Sequence, residues 1–325
     1  MRLLVLGGTR FLGRALVEEA LRRGHDVALF NRGLTNPGLF SEAEQVVGDR
    51  DGDLSALEGR TWDAVIDTCG YVPRVVRSSA ELLADSVGTY VFVSSGSVYR
   101  EGMPFGYDET WPTEELEDPA TEDVGAHYGA LKAACERAVE AVMPGRVLHV
   151  RAGLIVGRHD HTGRFTYWAH RVARGGEVLA PEPRTQPVQF IDVQDVTAWM
   201  LDAAERGLTG TFNATGPEEP LTMESFLEGM CQALGADCTF VWAGEMFLRE
   251  HDVTPWSDMP LWLAPASDPG TARFLSMDVR RAVDAGLGFR SLAETARDAL
   301  ELARPTADAG LTPERERELL RAWLS

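Results

Sequence analysis

Short apolar runs alternate with amphipathic stretches along the first half of the chain. The run "RLLVLG" (2–7) has the length of a buried strand. After it, "RFLGRALVEEALRRG" (10–24) sets Phe11, Ala15, Leu16, Val17, Ala20 and Leu21 near one helical face and stops at Gly24. Further strands are predicted at "HDVALFNRG" (25–33), "EQVVGDR" (44–50), "WDAVIDTCG" (62–70) and "TYVFVSS" (89–95), with a helix from about Arg74 to Ala84. A helix over 127–142 ends before Pro144 and Gly145, and "RVLHVRAGLIVG" (146–157) reads as a sixth strand. Strands apolar throughout, interleaved with helices, predict a parallel sheet covered on both faces. That is an α/β, doubly wound fold of the Rossmann kind.

Beyond residue 157 the pattern loosens. The stretch 187–207 reads as strand then helix and 210–216 as another strand, both rejoining the sheet. Helices are expected near 223–234, 291–302 and 313–324, among longer loops. The expected organisation is a dinucleotide-binding domain from 1–157 with 187–216, and a smaller C-terminal substrate domain from 158–186 with 217–325. The second would sit over the carboxyl ends of the strands, where open α/β sheets bind ligands. "TPWSDMPLWLAP" (254–265) reads as a loop covering a pocket.

Composition narrows the choice of partners. At 325 residues, 44% hydrophobic and 25% charged, the chain resembles a soluble globular protein with a large core. A formal charge of −19 repels phosphate backbones, so nucleic acid is not an expected partner and anionic membrane is disfavoured. The opening apolar run breaks into Gly-Gly-Thr-Arg, short of the roughly 7–15 residues of a signal core, so the cytoplasm is the expected compartment. Cys69, Cys135, Cys231 and Cys238 form no C-x-x-C pair, and His159 and His161 lack a supporting ligand cluster, so no metal is expected.

Chemistry enters at the first turn. Strand one runs into "GGTRFLG" (7–13) and then a helix, where backbone N–H groups can approach a pyrophosphate at the helix's positive end. Gly7, Thr9, Arg10, Phe11, Leu12 and Gly13 are the candidate contacts. Arg10 at the middle of the turn reduces close backbone approach but adds a guanidinium beside the phosphates. The second strand ends in Asn31 and Arg32, where NAD-selective sites carry a carboxylate for the ribose 2′-hydroxyl. No acid stands there, and Arg32, with Arg10, suits a 2′-phosphate. NADP is the expected cofactor, with NAD the alternative. Asp49 and Arg50 follow the third strand, Asp49 to accept from an adenine amine. Thr68 and Cys69 follow the fourth, to touch the cofactor's second half through backbone.

The chain has one lysine, Lys132, four residues after Tyr128 in "HYGALK" (127–132). Residues i and i+4 share a helix face, so both side chains are expected over the cleft. A phenol of pKa near 10 is a poor acid–base catalyst at neutral pH. An adjacent ammonium is expected to lower that pKa and also to donate to ribose hydroxyls. Of Ser94, Ser95 and Ser97, Ser95 is the first choice to polarise a substrate oxygen. Glu101, Asp108 and Glu109 read as a solvated rim, and Arg164, Trp168 and the 254–265 loop as pocket lining.

The glycine turn, "GD" at 48–49, "VSSGSVY" (93–99), "YGALK" (128–132), "RAGLIVG" (151–157) and "FIDVQDV" (190–196) stand in a familiar order and spacing. Over residues 1–215 the chain resembles the extended short-chain dehydrogenase/reductases, the NAD(P)-dependent epimerase/dehydratase family. The "GGTRF" turn is similar to an atypical branch that includes chloroplast stem-loop RNA-binding proteins. The resemblance implies a Rossmann domain with a smaller substrate domain, Ser95, Tyr128 and Lys132 as the catalytic triad, and Tyr128 as general acid/base. It also implies a homodimer paired through helices of the sheet domain. Two departures count against a nucleotide-sugar substrate: Leu154 replaces a customary asparagine, and Val188 a customary arginine, with Arg184 out of register. The expected activity is hydride transfer between nicotinamide and a small carbonyl or alcohol. The alternative is an epimerase or dehydratase of a sugar-like substrate that retains its cofactor. A nucleotide-dependent RNA binder is a different class, disfavoured by the −19 charge and by the Tyr128/Lys132 pair.

Overall fold

The structure is a computed structural model describing residues 1–217, 221–306 and 308–324, so 218–220, 307 and 325 of the expected second domain lie outside the described residues. From the N-terminus run β1 (Arg2–Leu6), α1 (Phe11–Arg22), β2 (Asp26–Asn31), β3 (Glu44–Val47), β4 (Trp62–Asp67), α2 (Pro73–Leu83), β5 (Val87–Ser95), α3 (Val124–Val142) and β6 (Val147–Ala152). There follow β7 (Ile155–Val156), α4 (Arg164–Ala173), β8 (Gly176–Pro181), β9 (Pro187–Val188), β10 (Ile191–Asp192), α5 (Val193–Glu205) and β11 (Gly210–Ala214). The last third holds β12 (Leu221–Thr222), α6 (Met223–Leu234), β13 (Cys238–Ala243), α7 (Glu245–Glu250), α8 (Arg280–Asp284), α9 (Leu292–Leu302) and α10 (Pro313–Leu324).

Seven strands form one parallel sheet in the order β11-β6-β5-β4-β1-β2-β3. The strand order reverses between β1 and β4, the switch point where a doubly wound sheet opens a crevice. Alternate residues of each strand feed opposite cores. Leu3, Val5, Leu29 and Ile66 pack with α1 and α5 on one face. Leu4, Leu6, Phe30 and Phe92 pack with α2 and α3 on the other. Burial of each such side chain contributes roughly 1.5–3 kcal/mol, which is why these strands read as continuous apolar runs. No described helix is long and apolar enough to cross a membrane.

The expected sixth strand at 146–157 is two elements. β6 ends at Ala152, and β7 leaves the sheet to pair with β10. Gly153 sits at the break, packed so tightly that a Cβ there would lie 2.2 Å from Thr215 Oγ1. The strand read over 187 onward is likewise two short bridges, β9 with β12 and β10 with β7.

A separate apolar core gathers α4, α6, α9, the parallel pair β8 and β13, and residues 259–264. Capping boxes at Thr222/Ser225 and Ser291/Glu294 start α6 and α9. α10 is fastened to this core by charge. Glu316 meets Arg171 Nε at 2.5 Å and accepts from Leu179 N at 3.1 Å, and both ionic side chains are nearly inaccessible. Glu316→Ala would strand a buried guanidinium, and the expected loss is about 3–5 kcal/mol of unfolding free energy in a urea titration. The exposed Glu314, paired with Arg317 at 2.7 Å, provides the contrast: Glu314→Ala should change stability by less than about 0.5 kcal/mol.

Candidate active site

The turn between β1 and α1 depends on missing side chains. Gly7 and Gly8 hold φ of +102° and +92°, backbone that favours glycine. A Cβ on Gly7 would lie 2.7 Å from Thr68 Oγ1, and one on Gly13 would lie 2.9 Å from Gly8 N. The end of β4, the turn and the start of α1 therefore close on one another. Asn31 ties in the end of β2: its Nδ2 donates to Gly7 O at 3.1 Å and its Oδ1 accepts from Gly33 N at 2.8 Å. α1 starts with no side-chain cap and no acidic residue in its first turn. Its first N–H groups and positive field are left to an anion, which fits a dinucleotide pyrophosphate.

The cofactor-binding and catalytic candidates read from sequence all border one cleft of about 560 Å³ at the switch point. Gly7, Thr9, Arg10, Phe11, Leu12 and Gly13 form one wall, Asn31, Arg32, Asp49 and Arg50 another, and Thr68, Cys69, Ser95, Tyr128 and Lys132 the remainder. Arg10, Arg32 and Asp49 are solvent-exposed there. Arg50 is engaged elsewhere. Its guanidinium meets Asp67 at 2.6 and 2.5 Å and Ser79 Oγ at 2.9 Å, so its charge is spent on a carboxylate buried at the end of β4. Tyr71 and His161 also border the cleft, His161 edge-on to Phe11 at 5.7 Å. Neither carries a sequence signal beyond lying in a loop at the carboxyl edge of the sheet.

α3 presents the tyrosine and the lysine. Asp123 Oδ1 caps its first turn by accepting from Ala126 N at 3.1 Å. The helix then kinks at His127 (φ −128°, ψ 31°), so Tyr128 opens its regular part. Gly129 lies so close to the turn after β5 that a Cβ would sit 2.0 Å from Ser97 O. One turn on, the Lys132 ammonium donates to Gly70 O at 2.7 Å and Val93 O at 2.6 Å, above the Phe92 ring at 4.2 Å. Burial lowers the Lys132 pKa to about 8, with the Asp67 carboxylate opposing.

Tyr128 departs from expectation. The residue is 37% accessible, yet desolvation by the surrounding wall raises its pKa, Ser95 pulling the other way through a hydrogen bond. Lys132 is not among the groups that set it. The ammonium is drawn onto two backbone carbonyls at the ends of β4 and β5, so the expected lowering of the phenol's pKa by Lys132 is corrected.

The three serines separate cleanly. Ser95 Oγ accepts from Ser97 N at 3.1 Å, which leaves its O–H for the Tyr128 oxygen or for a substrate oxygen beside it. Ser94 is buried and donates to Glu136 Oε1 at 2.5 Å. Ser97 borders a second cavity, of about 860 Å³, whose lining also includes Tyr128. The tyrosine thus belongs to both spaces. From the C-terminal part this second cavity takes Pro255, Trp256, Trp262, Leu263 and Phe274, so the 254–265 loop does line a pocket. Trp168 does not: it is fully buried, with Nε1 donating to Pro260 O at 2.8 Å. Arg164 stacks over Trp256 at 5.3 Å. Of the expected solvated rim, Glu101 borders the second cavity and Glu109 accepts from Asn213 N at 2.7 Å.

With this geometry in place, comparison with known proteins identifies the class. The chain belongs to the NAD dependent epimerase/dehydratase family, whose pattern matches residues 3–214. It is 30% identical over 238 residues to the dTDP-6-deoxy-L-talose 4-dehydrogenase (NAD(P)(+)) of Kitasatospora kifunensis, covering 65% of this chain and 73% of that protein. It is 26% identical over 255 residues to the chloroplast stem-loop binding protein of 41 kDa b of Arabidopsis thaliana, covering 72% of this chain. That match spans 63% of the Arabidopsis protein, under two thirds of its length. The crystal structure of human epimerase family protein SDR39U1 (isoform2) with NADPH shares the fold, with a TM-score of 0.62 at 21% identity, over 93% of this chain and 99% of that one.

Gly129 offers a direct check on how α3 is seated. An exposed helix would gain about 1 kcal/mol from Gly→Ala. Here the Cβ would meet Ser97 O, and overpacking of this kind costs about 1–3 kcal/mol. Gly129→Ala is therefore expected to lower the melting temperature rather than raise it, as read by circular dichroism.

Proposed function

We propose that the protein is an oxidoreductase that prefers NADP and moves a hydride between the nicotinamide and a small carbonyl or alcohol, with Tyr128 handling the proton. The observation that carries this reading is that Tyr128 borders both the dinucleotide cleft and the second cavity. Held in the cleft, the dinucleotide supplies or accepts the hydride. The Tyr128 hydroxyl, its pKa raised, is protonated at neutral pH and suited to donate to a carbonyl oxygen as it is reduced. Ser95 donates a hydrogen bond to the same oxygen. Lys132 has three N–H donors and spends two on Gly70 and Val93, which leaves one for a ribose hydroxyl. Its role is to seat the dinucleotide.

Arg32 and Arg10, exposed on the cleft wall without an acidic neighbour at the end of β2, support recognition of a 2′-phosphate. The dinucleotide-binding domain is residues 1–157 with 187–216, and 158–186 with 217–325 make up the substrate domain. An epimerase or dehydratase would use the same centre but leave no net change in NADPH.

Two measurements test the reading. With 4-nitrobenzaldehyde as the carbonyl probe, Tyr128→Phe should cut NADPH oxidation by roughly 10²–10⁴-fold with the NADPH Kd unchanged. Wild-type reduction at saturating NADPH should hold through neutral pH, because the donating form of Tyr128 is the protonated one, and NADPH affinity should weaken as pH rises past about 8, where Lys132 loses the N–H left for the ribose. Retained turnover in Tyr128→Phe would refute the assignment. Separately, Arg32→Ala should raise the Kd for NADPH about tenfold or more, roughly 1.4 kcal/mol, and leave NADH almost unchanged. Equal losses for both dinucleotides would remove the NADP preference.

A further inference from the structure

The segment between β7 and α4 carries two imidazoles, His159 and His161, on either side of Asp160. It lies against α1, the helix that opens the dinucleotide cleft. His159 Nε2 stands 3.4 Å from Glu18 Oε1, which also meets Arg14 Nε at 2.9 Å. Two turns nearer the start of that helix, the His161 ring sits edge-on to Phe11 at 5.7 Å. Among the described residues that line the cleft, His161 is the one imidazole.

The charges around His161 are unevenly matched. Arg10 faces it from the glycine turn and Arg164 from the first residue of α4, with Asp160 opposing them. Neither guanidinium is in a salt bridge among the described residues. Arg164 is half-buried, and desolvation lowers its pKa. Asp160 is 6% exposed, and burial raises its pKa. Its Oδ1 accepts from Thr162 N at 2.7 Å, while its Oδ2 has no hydrogen-bond partner among the described residues. One carboxylate, disfavoured in its charged form, is thus set against two permanent cations. Desolvation first, then Arg10, lowers the His161 pKa, with Asp160 acting against them and Arg164 with them. Such a cluster attracts a multiply charged anion. The uncapped first turn of α1, beginning at Phe11, attracts the same.

Resting on the reading of this cleft as the dinucleotide site, we propose that His161 is a dinucleotide contact that reaches over the start of α1 to the diphosphate. The imidazole is mostly neutral at pH 7 in the free protein. Two phosphate charges beside it raise its pKa and make it a cationic donor, so binding draws a proton from solvent. Between the free and bound values the complex holds the extra proton. Affinity therefore rises as pH falls through that window and levels off below the free value. Lys132, with a pKa of about 8, acts in a higher window. The dinucleotide would touch both proposed domains, through α1 in one and the β7–α4 segment in the other.

The test is calorimetric titration of wild type and His161→Gln at about pH 6 and about pH 7.5, on either side of the ordinary histidine value. NADH is the probe, because the 2′-phosphate of NADPH itself titrates near pH 6. Wild type should bind NADH at least about threefold more tightly at the lower pH, a one-unit rise in pKa being worth at most about tenfold. It should also take up a fraction of a proton, read from two buffers of different ionisation enthalpy. His161→Gln should bind within about twofold of wild type at the higher pH, where the imidazole is mostly neutral, which shows that the cleft is formed. It should lose the tightening and the proton uptake. In wild type, ADP-ribose, which keeps the diphosphate without the nicotinamide, should repeat the NADH pattern, and adenosine should take up no proton. The proposal is overturned if His161→Gln keeps the pH dependence, if adenosine shows it, or if ADP-ribose does not. Failure of both NADH and ADP-ribose to saturate would sink the reading of the cleft as well. Saturation without any difference between wild type and His161→Gln would remove the His161 contact alone.

Discussion

The approach of α3 to the turn after β5 governs the site. Residue 129 touches the backbone of Ser97 with no side chain between them, and a Cβ would come within 2.0 Å of that carbonyl. Helices in such folds normally stand off the chain by the width of a side chain. Here that spacing is removed at one position, beside Tyr128 and one turn before Lys132. The tyrosine reaches the gap between two cavities, and the ammonium reaches carbonyls at the ends of β4 and β5. The lysine therefore binds the sheet edge together as well as facing the cleft.

Two buried ionic clusters lie beside this contact. Asp67 holds Arg50 and accepts from Tyr90 at 2.8 Å, and Glu136 holds Arg151 at 2.7 Å while accepting from Ser94. Buried pairs of this sort add little net stability, because desolvation consumes most of their attraction. What they fix is position. Glu136 lies one turn past Lys132 on α3, and Ser94 immediately precedes Ser95, so this cluster ties the helix to the strand end that carries the hydroxyl.

The sheet was legible in the sequence because its strands are buried on both faces, which makes them continuous apolar runs that cannot be mistaken for loops. The convergence of the glycine turn, Arg32, Asp49, Thr68, Ser95 and Tyr128 follows from topology: in a parallel sheet every strand ends at the same edge. What stayed hidden depends on contacts distant along the chain. The break after Ala152 is set by Thr215, and Arg50 is claimed by Asp67 across a neighbouring strand. The direction of the Tyr128 shift turns on where the ammonium of Lys132 finds its acceptors, and no spacing of residues discloses that. The second cavity is assembled from 101–117 and the region around 268, segments that share no motif.

A side chain that borders two chambers at once has a thermodynamic consequence. An occupant of either chamber meets the same Tyr128 ring, so each would alter the surroundings against which the other binds. Linkage makes that influence mutual: whatever the first occupant adds to the affinity of the second, the second returns in equal measure. Cooperativity would then reside in one shared wall between two sites.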